Sequence, residues 1–242
     1  MISVVLPVRN EEIVLKANVA FLHRFLTDNF KEPWRIIIVS NGSSDATNII
    51  GRELSDSLSY VFFLNISEPG KGRAVRYGWE AFSADLYTFM DIDLATNILA
   101  LPKLLSLLKQ GADLVYGSRF HVQSKVRFSL FRRVLSYGYG AIFRILLHSK
   151  IQDPACGFKG VSSRIIKEVV PRVKDQKWFF DSELLALAEK LEYRPKPLPV
   201  QWSETNNPLR KSKVPLSLVS TYIKALWRLR KDLKQEKILN KE

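Results

Sequence analysis

Three apolar runs, each followed closely by polar turn residues, constrain the fold of this chain more than any other feature. The runs cover residues 4–7, 36–39 and 86–90, and the polar residues after them include Glu11, Asn41 and the pair Asp91 and Asp93. Short runs rich in β-branched residues are typical of buried parallel strands. Because ligands of open α/β sheets bind at the carboxyl ends of the strands, the polar residues are expected to share one crevice.

The same pattern continues along most of the chain. Strand-like runs at 3–7, 35–40, 60–66, 86–91 and 113–116 alternate with helix-like stretches at 11–29, 45–56, 71–83 and 101–110. This alternation predicts an α/β fold with a mostly parallel central sheet flanked by helices. Asn10 is expected to cap the first helix, and Pro102 suits the first turn of the fourth.

Composition limits the partners. The 242 residues are 46% hydrophobic, which is enough for a substantial core, and their net charge of +13 indicates an anionic partner. Nucleic acid, an acidic membrane surface and phosphorylated small molecules all satisfy that requirement. Cys156 is the only cysteine, which excludes an internal disulfide and a cysteine-based zinc site, and we expect it to be a small buried hydrophobe.

Two segments depart from the α/β pattern and predict basic amphipathic helices. Residues 120–150 contain six cations and no acid among many aromatic residues, and residues 215–242 carry further cations beside an apolar face. Such helices lie on anionic membrane surfaces, although a helix packed on the domain with a solvated cationic face fits the second segment equally well. We therefore predict one domain over 1–214 that includes the basic aromatic segment 120–150, followed by a C-terminal basic amphipathic helix over 215–242.

The start of the chain lacks a basic segment before its apolar run, and no apolar stretch reaches the roughly 20 residues of a membrane span. We accordingly expect neither a signal peptide nor a transmembrane helix, and a peripheral location at the cytoplasmic face of a membrane.

Seven short blocks follow one another in the order of a known family. Besides Asp91-Ile-Asp93 they include Gly70-Lys-Gly-Arg73, Gly117-Ser-Arg119, Asp153-Pro-Ala-Cys-Gly-Phe-Lys159, Trp178-Phe-Phe-Asp-Ser-Glu183 and Ser212-Lys-Val214. Together they resemble the family-2 glycosyltransferases, which have the nucleotide-sugar-binding A-type fold. The string is most similar to the dolichyl-phosphate and polyprenyl-phosphate glucosyltransferases and mannosyltransferases.

The resemblance implies inverting transfer of a hexose, glucose from UDP-glucose, onto a dolichyl or polyprenyl phosphate. Asp91 and Asp93 would hold Mg²⁺ or Mn²⁺, because hard divalent cations prefer carboxylate oxygens and can bridge a diphosphate. The residues expected to bind the nucleotide sugar are Pro7, Glu11, Asn41, Asp45, Lys71, Arg73, Asp91 and Lys213.

The acceptor would be held by arginines, since guanidinium groups bind phosphate through paired hydrogen bonds. The expected phosphate ligands are Arg119, Arg132 and Arg133. The residues expected to act in catalysis are Asp93, Arg119 and Asp153, the last as a base or as a group that orients the acceptor. The resemblance also makes Trp178, Asp181 and Glu183 sugar-binding residues.

One departure from the family pattern leaves alternatives open. Where the family shows two aspartates, this chain has Ser40 and Asn41, so the base of the donor is undetermined. An enzyme of the same fold that uses GDP-mannose or a soluble acceptor is one alternative. A basic nucleic-acid-binding protein and a non-catalytic membrane-binding protein are two others, although we expect no nucleic-acid partner. The sequence does not give the oligomeric state.

Overall fold

A computed structural model describes residues 1–204 and 216–239, and the side chains of the last helix from 220 to 235. The strands are β1 (Ile2–Val8), β2 (Trp34–Asn41), β3 (Val61–Ile66), β4 (Leu86–Met90), β5 (Leu114–Ser118), β6 (Lys125–Arg127), β7 (Phe158–Ser162), β8 (Lys196–Pro199) and β9 (Gln201–Ser203). The helices are α1 (Leu15–Asn29), α2 (Thr47–Ser57), α3 (Lys71–Ala81), α4 (Leu101–Lys109), α5 (Leu130–Leu147), α6 (Ser163–Glu168), α7 (Phe180–Lys190) and α8 (Leu216–Leu239). Two 3₁₀ turns cover Ile98–Ala100 and Val170–Arg172.

The central sheet has seven strands in the order β3-β2-β1-β4-β7-β5-β8. All neighbouring strands are parallel except β7, which runs antiparallel to β4 on one side and to β5 on the other. Strands β6 and β9 form a separate parallel pair. The α/β fold with a mostly parallel central sheet is therefore confirmed, and the antiparallel strand was not predicted.

Both faces of the sheet are covered, which explains why the central strands are apolar without alternation. Val4 and Leu6 of β1 face a core built with α1, α2 and α4. Val5 faces a second core, to which α3, α5, α6 and α7 contribute. Ala225, Leu226 and Leu229 of α8 are buried in that second core, so the C-terminal helix packs on the domain.

Two local predictions about the start of α1 were wrong. Helix α1 begins at Leu15 instead of residue 11. Asn10 has a positive φ of 55°, and its Oδ1 accepts a 2.8 Å hydrogen bond from Ser44 N, so it joins two loops instead of capping a helix. Pro7 lies inside β1, beyond the last residue of β1 that pairs with β4, where its missing N–H removes no bond to that strand.

The helices described here do not cross a membrane: none of them combines the necessary length with sufficient hydropathy. One helix nevertheless exposes a large apolar surface. Leu130, Phe131, Val134 and Ile145 of α5 are 59–78% exposed.

Alanine substitutions at Gly160 of β7 and, as a control, at Gly138 of α5 test how tightly β7 is packed. A Cβ on Gly160 of β7 would lie 2.2 Å from Leu104 Cδ2, whereas a Cβ on Gly138 of α5 meets no atom within 4 Å. Gly160→Ala should lower the free energy of unfolding by about 1–3 kcal/mol because the core is overfilled. Gly138→Ala should raise it by up to about 1 kcal/mol, since alanine favours helix. Urea denaturation of both variants checks this, and equal stabilities would contradict the described packing.

Candidate active site

The carboxyl end of β4 carries the two aspartates. The Asp91 N–H donates to Gly157 O at 3.1 Å, and Asp93 Oδ1 accepts from Ala95 N at 3.1 Å. A Cβ on Gly157 would lie 1.9 Å from Asp91 Oδ2, so only glycine leaves room for this carboxylate. The predicted position of the acidic pair at a strand end is therefore confirmed.

A chain of alternating charges leads from Asp91 into the interior. Lys71 Nζ lies 2.8 Å from Asp91 Oδ1 and 3.1 Å from Asp181 Oδ2. Lys159 Nζ lies 2.7 Å from the other oxygen of Asp181. The side chains of Lys71, Asp181 and Lys159 are 7%, 2% and 0% exposed, whereas that of Asp91 is 42% exposed. The chain thus connects a buried lysine to the open end of β4.

These ion pairs keep Asp181 and Lys71 charged despite their burial. Burial raises the pKa of Asp181, but the adjacent Lys159 and Lys71 outweigh it and hold the pKa below the ordinary value. Burial likewise lowers the pKa of Lys71, and the charges of Asp181 and Asp91 more than compensate, so that its pKa is raised. Each buried ion is therefore compensated by its neighbour.

A second ion pair lies where β5 ends. Asp153 accepts hydrogen bonds from Arg119 Nε and Nη2, both at 2.7 Å, and from the Arg119 backbone N–H at 2.9 Å. The rings of Phe120, Phe128 and Trp202 have their centroids 5.6–5.8 Å from Arg119 Cζ. The guanidinium is thus held by both carboxylate oxygens and flanked by three aromatic rings.

Trp202 brings a second arginine to the same place. Arg132 Cζ lies 5.1 Å from the Trp202 ring centroid, and Arg132 Nη1 lies 3.3 Å from Glu204 Oε1. Arg133 instead lies over Tyr137, at 5.9 Å, on the exposed side of α5. Of the three predicted phosphate ligands, Arg119 and Arg132 therefore contact one shared ring, Trp202. Arg133 contacts Tyr137, which stacks on Phe120 at 4.2 Å.

Residues 153–157 connect the two groups of charges. Asp153 binds Arg119, the Cys156 carbonyl accepts from Lys159 Nζ at 2.5 Å, and Gly157 packs on Asp91. Cys156 itself is buried, and burial raises the pKa of its thiol to about 12, which confirms the predicted hydrophobic role.

Asn41, which was predicted to bind the nucleotide sugar, has its side-chain amide engaged inside the protein. Its side chain is 4% exposed, its Nδ2 donates to Val8 O at 2.7 Å, and its Oδ1 accepts from Gly70 N at 2.9 Å. The amide thus joins β1, β2 and the start of α3. An aspartate would lack the donor that binds Val8 O, which gives a structural reason for asparagine here.

The predicted sugar-binding acids are also corrected. Asp181 is occupied by its two lysines, as described above. Glu183 is 1% exposed, accepts from Asp175 N at 2.7 Å, and lies 3.6 Å from Arg228 Nη2 of α8. Both carboxylates therefore hold neighbouring segments together. Trp178, the third predicted sugar ligand, is 53% exposed, and its ring centroid lies 5.5 Å from Lys71 Nζ.

The remaining predicted donor residues line the surface around this edge. Arg73 pairs with Glu68 at 2.7 Å, and Asp45 accepts from Thr47 N at 3.0 Å at the start of α2. Glu11 follows β1, and its backbone N–H donates to Thr47 Oγ1 at 2.8 Å. Lys213 lies outside the described residues.

Gly70 and Gly72 serve close packing. A Cβ on Gly70 would lie 2.3 Å from Gln176 O, and one on Gly72 would lie 2.5 Å from Phe180 Cβ. The N–H groups of Gly72 and Arg73 donate to carbonyls of residues 177 and 176. The first turn of α3 is therefore capped by carbonyl groups of the protein itself.

The carboxylates of Asp91 and Asp93 fit a metal ion that is also bound by a substrate. Among residues 1–204 and 216–239, no group of three or more His, Cys, Asp or Glu side chains could hold a metal ion. Two carboxylates at the end of β4, one of them exposed, suit Mg²⁺ or Mn²⁺, which bind one or two carboxylates together with substrate phosphates and water.

Comparison with known proteins agrees with this geometry. Residues 3–170 match the family model described as Glycosyl transferase family 2. The chain belongs to that family.

Curated relatives within the family are about 30% identical to the chain. A dolichyl-phosphate beta-glucosyltransferase of Drosophila melanogaster is 31% identical over 218 residues, which cover 84% of this chain and 67% of that protein. Glycosyltransferase AglD of Haloferax volcanii is 30% identical over 207 residues, which cover 83% of this chain and 33% of that protein. The chain thus spans between one third and about two thirds of the length of these relatives.

The fold is that of solved glycosyltransferases. Glucosyl-3-phosphoglycerate synthase from Mycobacterium tuberculosis, crystallised with UDP, superposes with a TM-score of 0.69 at 20% identity, covering 95% of this chain and 80% of that chain. The same enzyme with Mn²⁺, UDP and glucosyl-3-phosphoglycerate gives a TM-score of 0.67 at 21% identity. The A-type glycosyltransferase fold is therefore confirmed.

Sequence reasoning missed Trp202 and the role of Lys159. Trp202 belongs to the three-residue strand β9, in which polar and apolar residues alternate. That alternation was the sequence signal for a strand with Trp202 on its buried face. Lys159 lies in the Cys-Gly-Phe-Lys block and is fully buried. A hydrophobicity pattern treats lysine as an exposed residue, so it could not predict this burial.

The Arg119–Asp153 pair can be tested through stability. Asp153→Asn should lower the free energy of unfolding by about 3–5 kcal/mol, because it leaves a buried guanidinium without its counter-ion. The double variant Asp153→Asn with Arg119→Met should lose less than the sum of the single variants. Arg73→Ala, which breaks an exposed pair, should cost less than about 1 kcal/mol. Additive losses in urea denaturation would contradict this coupling.

Proposed function

We propose that the chain transfers a hexose, glucose from UDP-glucose, to a dolichyl or polyprenyl phosphate at a membrane surface, with inversion at the anomeric carbon. One observation carries the proposal: the carboxylate pair with Lys71 at the end of β4 lies at the same sheet edge as a caged arginine pair beside an exposed apolar helix. The similarity to dolichyl-phosphate beta-glucosyltransferases supports glucose and a lipid phosphate.

On the donor side, Asp91, Asp93 and Lys71 would hold the diphosphate, with Arg73 and Lys213 as further cations. When bound, Mg²⁺ or Mn²⁺ would offset the charge that develops on the leaving diphosphate. Glu11 and Asp45 follow the neighbouring strands, where the nucleoside of the donor would lie. Trp178, exposed beside Lys71, would contact the sugar.

On the acceptor side, Arg119 and Arg132 would bind the lipid phosphate. A phosphate monoester has a second pKa near 6, so its oxygen is already anionic at neutral pH and needs no general base. That oxygen would attack the anomeric carbon while the bond to the diphosphate breaks. Asp153, bonded through both oxygens, would then position Arg119 instead of accepting a proton.

The apolar stripe of α5 supports a membrane partner. Leu130, Phe131, Val134, Ile142 and Ile145 are 38–78% exposed. Arg133 and Arg144 on the same helix supply positive charge. An amphipathic helix of this composition lies in the headgroup region of anionic membranes. Because Arg132 belongs to the same helix, docking of α5 would place the arginine pair at the height of the lipid phosphates above the membrane core.

The direct test is incubation with a panel of radiolabelled nucleotide sugars and polyprenyl phosphate, followed by extraction of the lipid. The proposal expects label from UDP-glucose in the lipid phase, loss of transfer in EDTA and recovery with Mg²⁺ or Mn²⁺. Label from GDP-mannose alone would support the alternative donor, and efficient glycosylation of unphosphorylated polyprenol would reject the phosphate acceptor.

The arginine pair gives a kinetic prediction. Arg132→Ala should raise KM for polyprenyl phosphate about ten- to a hundredfold and leave KM for the nucleotide sugar nearly unchanged, because one charged hydrogen-bonding partner is lost. The control is Lys16→Ala, an exposed cation on α1, away from α5. Steady-state kinetics measure both constants. Loss of donor affinity instead would show that the acceptor site is placed wrongly.

The α5 stripe predicts membrane binding. Replacing Phe131 and Val134 together with serine should weaken flotation with anionic liposomes by about tenfold or more, because apolar area no longer leaves water. The matched control is Ile49→Ser, an equally exposed apolar residue on α2. Binding of the unchanged protein should also weaken as salt rises. Equal losses in the control would refute docking through α5.

A further inference from the structure

Asp91 is bound by a cation that belongs to the protein. The Lys71 ammonium lies 2.8 Å from Asp91 Oδ1, at the exposed end of the charge chain. The same carboxylate is one of the two groups expected to hold a divalent metal. An ammonium and a metal ion on one carboxylate repel each other, so the two cations compete for Asp91.

Lys71 also has a second anionic partner that a metal would not disturb. Asp181 Oδ2 lies 3.1 Å from Lys71 Nζ, and the Asp181 side chain is 2% exposed. The other oxygen of Asp181 is held by Lys159. The Lys71 ammonium also lies 5.2 Å from the centroid of the Phe89 ring. Lys71 can therefore give up Asp91 and remain charge-compensated in the same place.

We infer that Lys71 is the resident counter-ion of Asp91, which it holds until a metal and the donor diphosphate arrive together. Lys71 then moves from the carboxylate to the diphosphate while Asp181 keeps it in position. Lys159 acts as a positioning residue because it fixes Asp181. This inference rests on the proposed function and adds a dependence between its two ligands. The metal binds weakly until a nucleotide supplies a new partner for Lys71.

The test is a Mn²⁺ titration without any sugar transfer. Free Mn²⁺ is followed by electron paramagnetic resonance, in the presence and absence of UDP. Lys71→Met should bind Mn²⁺ alone about tenfold or more tightly than the unchanged protein, because the competing cation is gone. The same variant should bind UDP more weakly. Opposite changes in the two affinities are not expected of a residue with a merely structural role.

Two further variants make the test decisive. Lys71→Gln, which keeps polarity without charge, should change both affinities in the same directions as Lys71→Met. Lys103→Met removes one positive charge from the exposed surface of α4 and should change neither affinity. Circular dichroism verifies folding, which the remaining Lys159–Asp181 pair should maintain.

The outcomes separate the inference from the proposed function. If the unchanged protein binds Mn²⁺ with UDP, but both Lys71 variants bind Mn²⁺ alone no more tightly than it does, the inference is overturned and the proposed metal site stands. If none of the proteins binds Mn²⁺ even with UDP, the metal site of the proposed function fails together with the inference.

Discussion

The reversed direction of β7 is the constraint on which the candidate site depends. Parallel strands β4 and β5 present their carboxyl ends, with Asp91 and Arg119, at one edge of the sheet. Because β7 runs between them in the opposite direction, the segment that leads into it arrives at that same edge. Residues 153–157 are thereby placed between the two charged groups and contact both of them. A parallel strand in this position would have delivered that segment to the far side of the sheet.

The requirement to compensate buried charge explains how this edge is built. Removing an ion from water costs several kcal/mol, so a buried ion persists only with a partner in good geometry. Lys159 and Asp181 satisfy each other, and so do Arg119 and Asp153. Asp153 and Asp181, which look like ligands in the sequence, are consequently engaged in ion pairs inside the protein. Asp91 and Asp93 remain partly exposed at the end of β4, and the buried Lys71 ammonium contacts Asp91 from the inner side.

The sequence was sufficient for the parts of the fold that repeat a local pattern. Strands β1, β2 and β4 and the polar residues after them were predicted because apolar runs and turn chemistry are local signals. Strand β7 was missed because it contains a buried lysine and a glycine that makes room for α4. The partners of Arg119 and Lys71 were missed for a different reason. Arg119 and Asp153 are 34 positions apart, and only the strand order brings them together.

The sequence also could not distinguish ligands from supports. Asn41, Asp181 and Glu183 have residue types and positions suited to binding a substrate, and all three are below 5% exposed. What decides their role is whether a neighbouring donor takes their oxygens first. That depends on packing between elements that are distant in the chain, such as α8 and the start of α7.

The enclosure of Arg119 has a thermodynamic consequence. An exposed arginine samples many rotamers, and ordering such a side chain on a ligand costs about 0.5–1.5 kcal/mol. Arg119 is held by three hydrogen bonds to Asp153 and by rings around its guanidinium, so that this entropy is lost when the protein folds. If an anion binds here as proposed, it would meet the guanidinium donors that Asp153 leaves over, and these are already fixed in position. Any preference of the site for the shape of an anion would then be set before the ligand arrives.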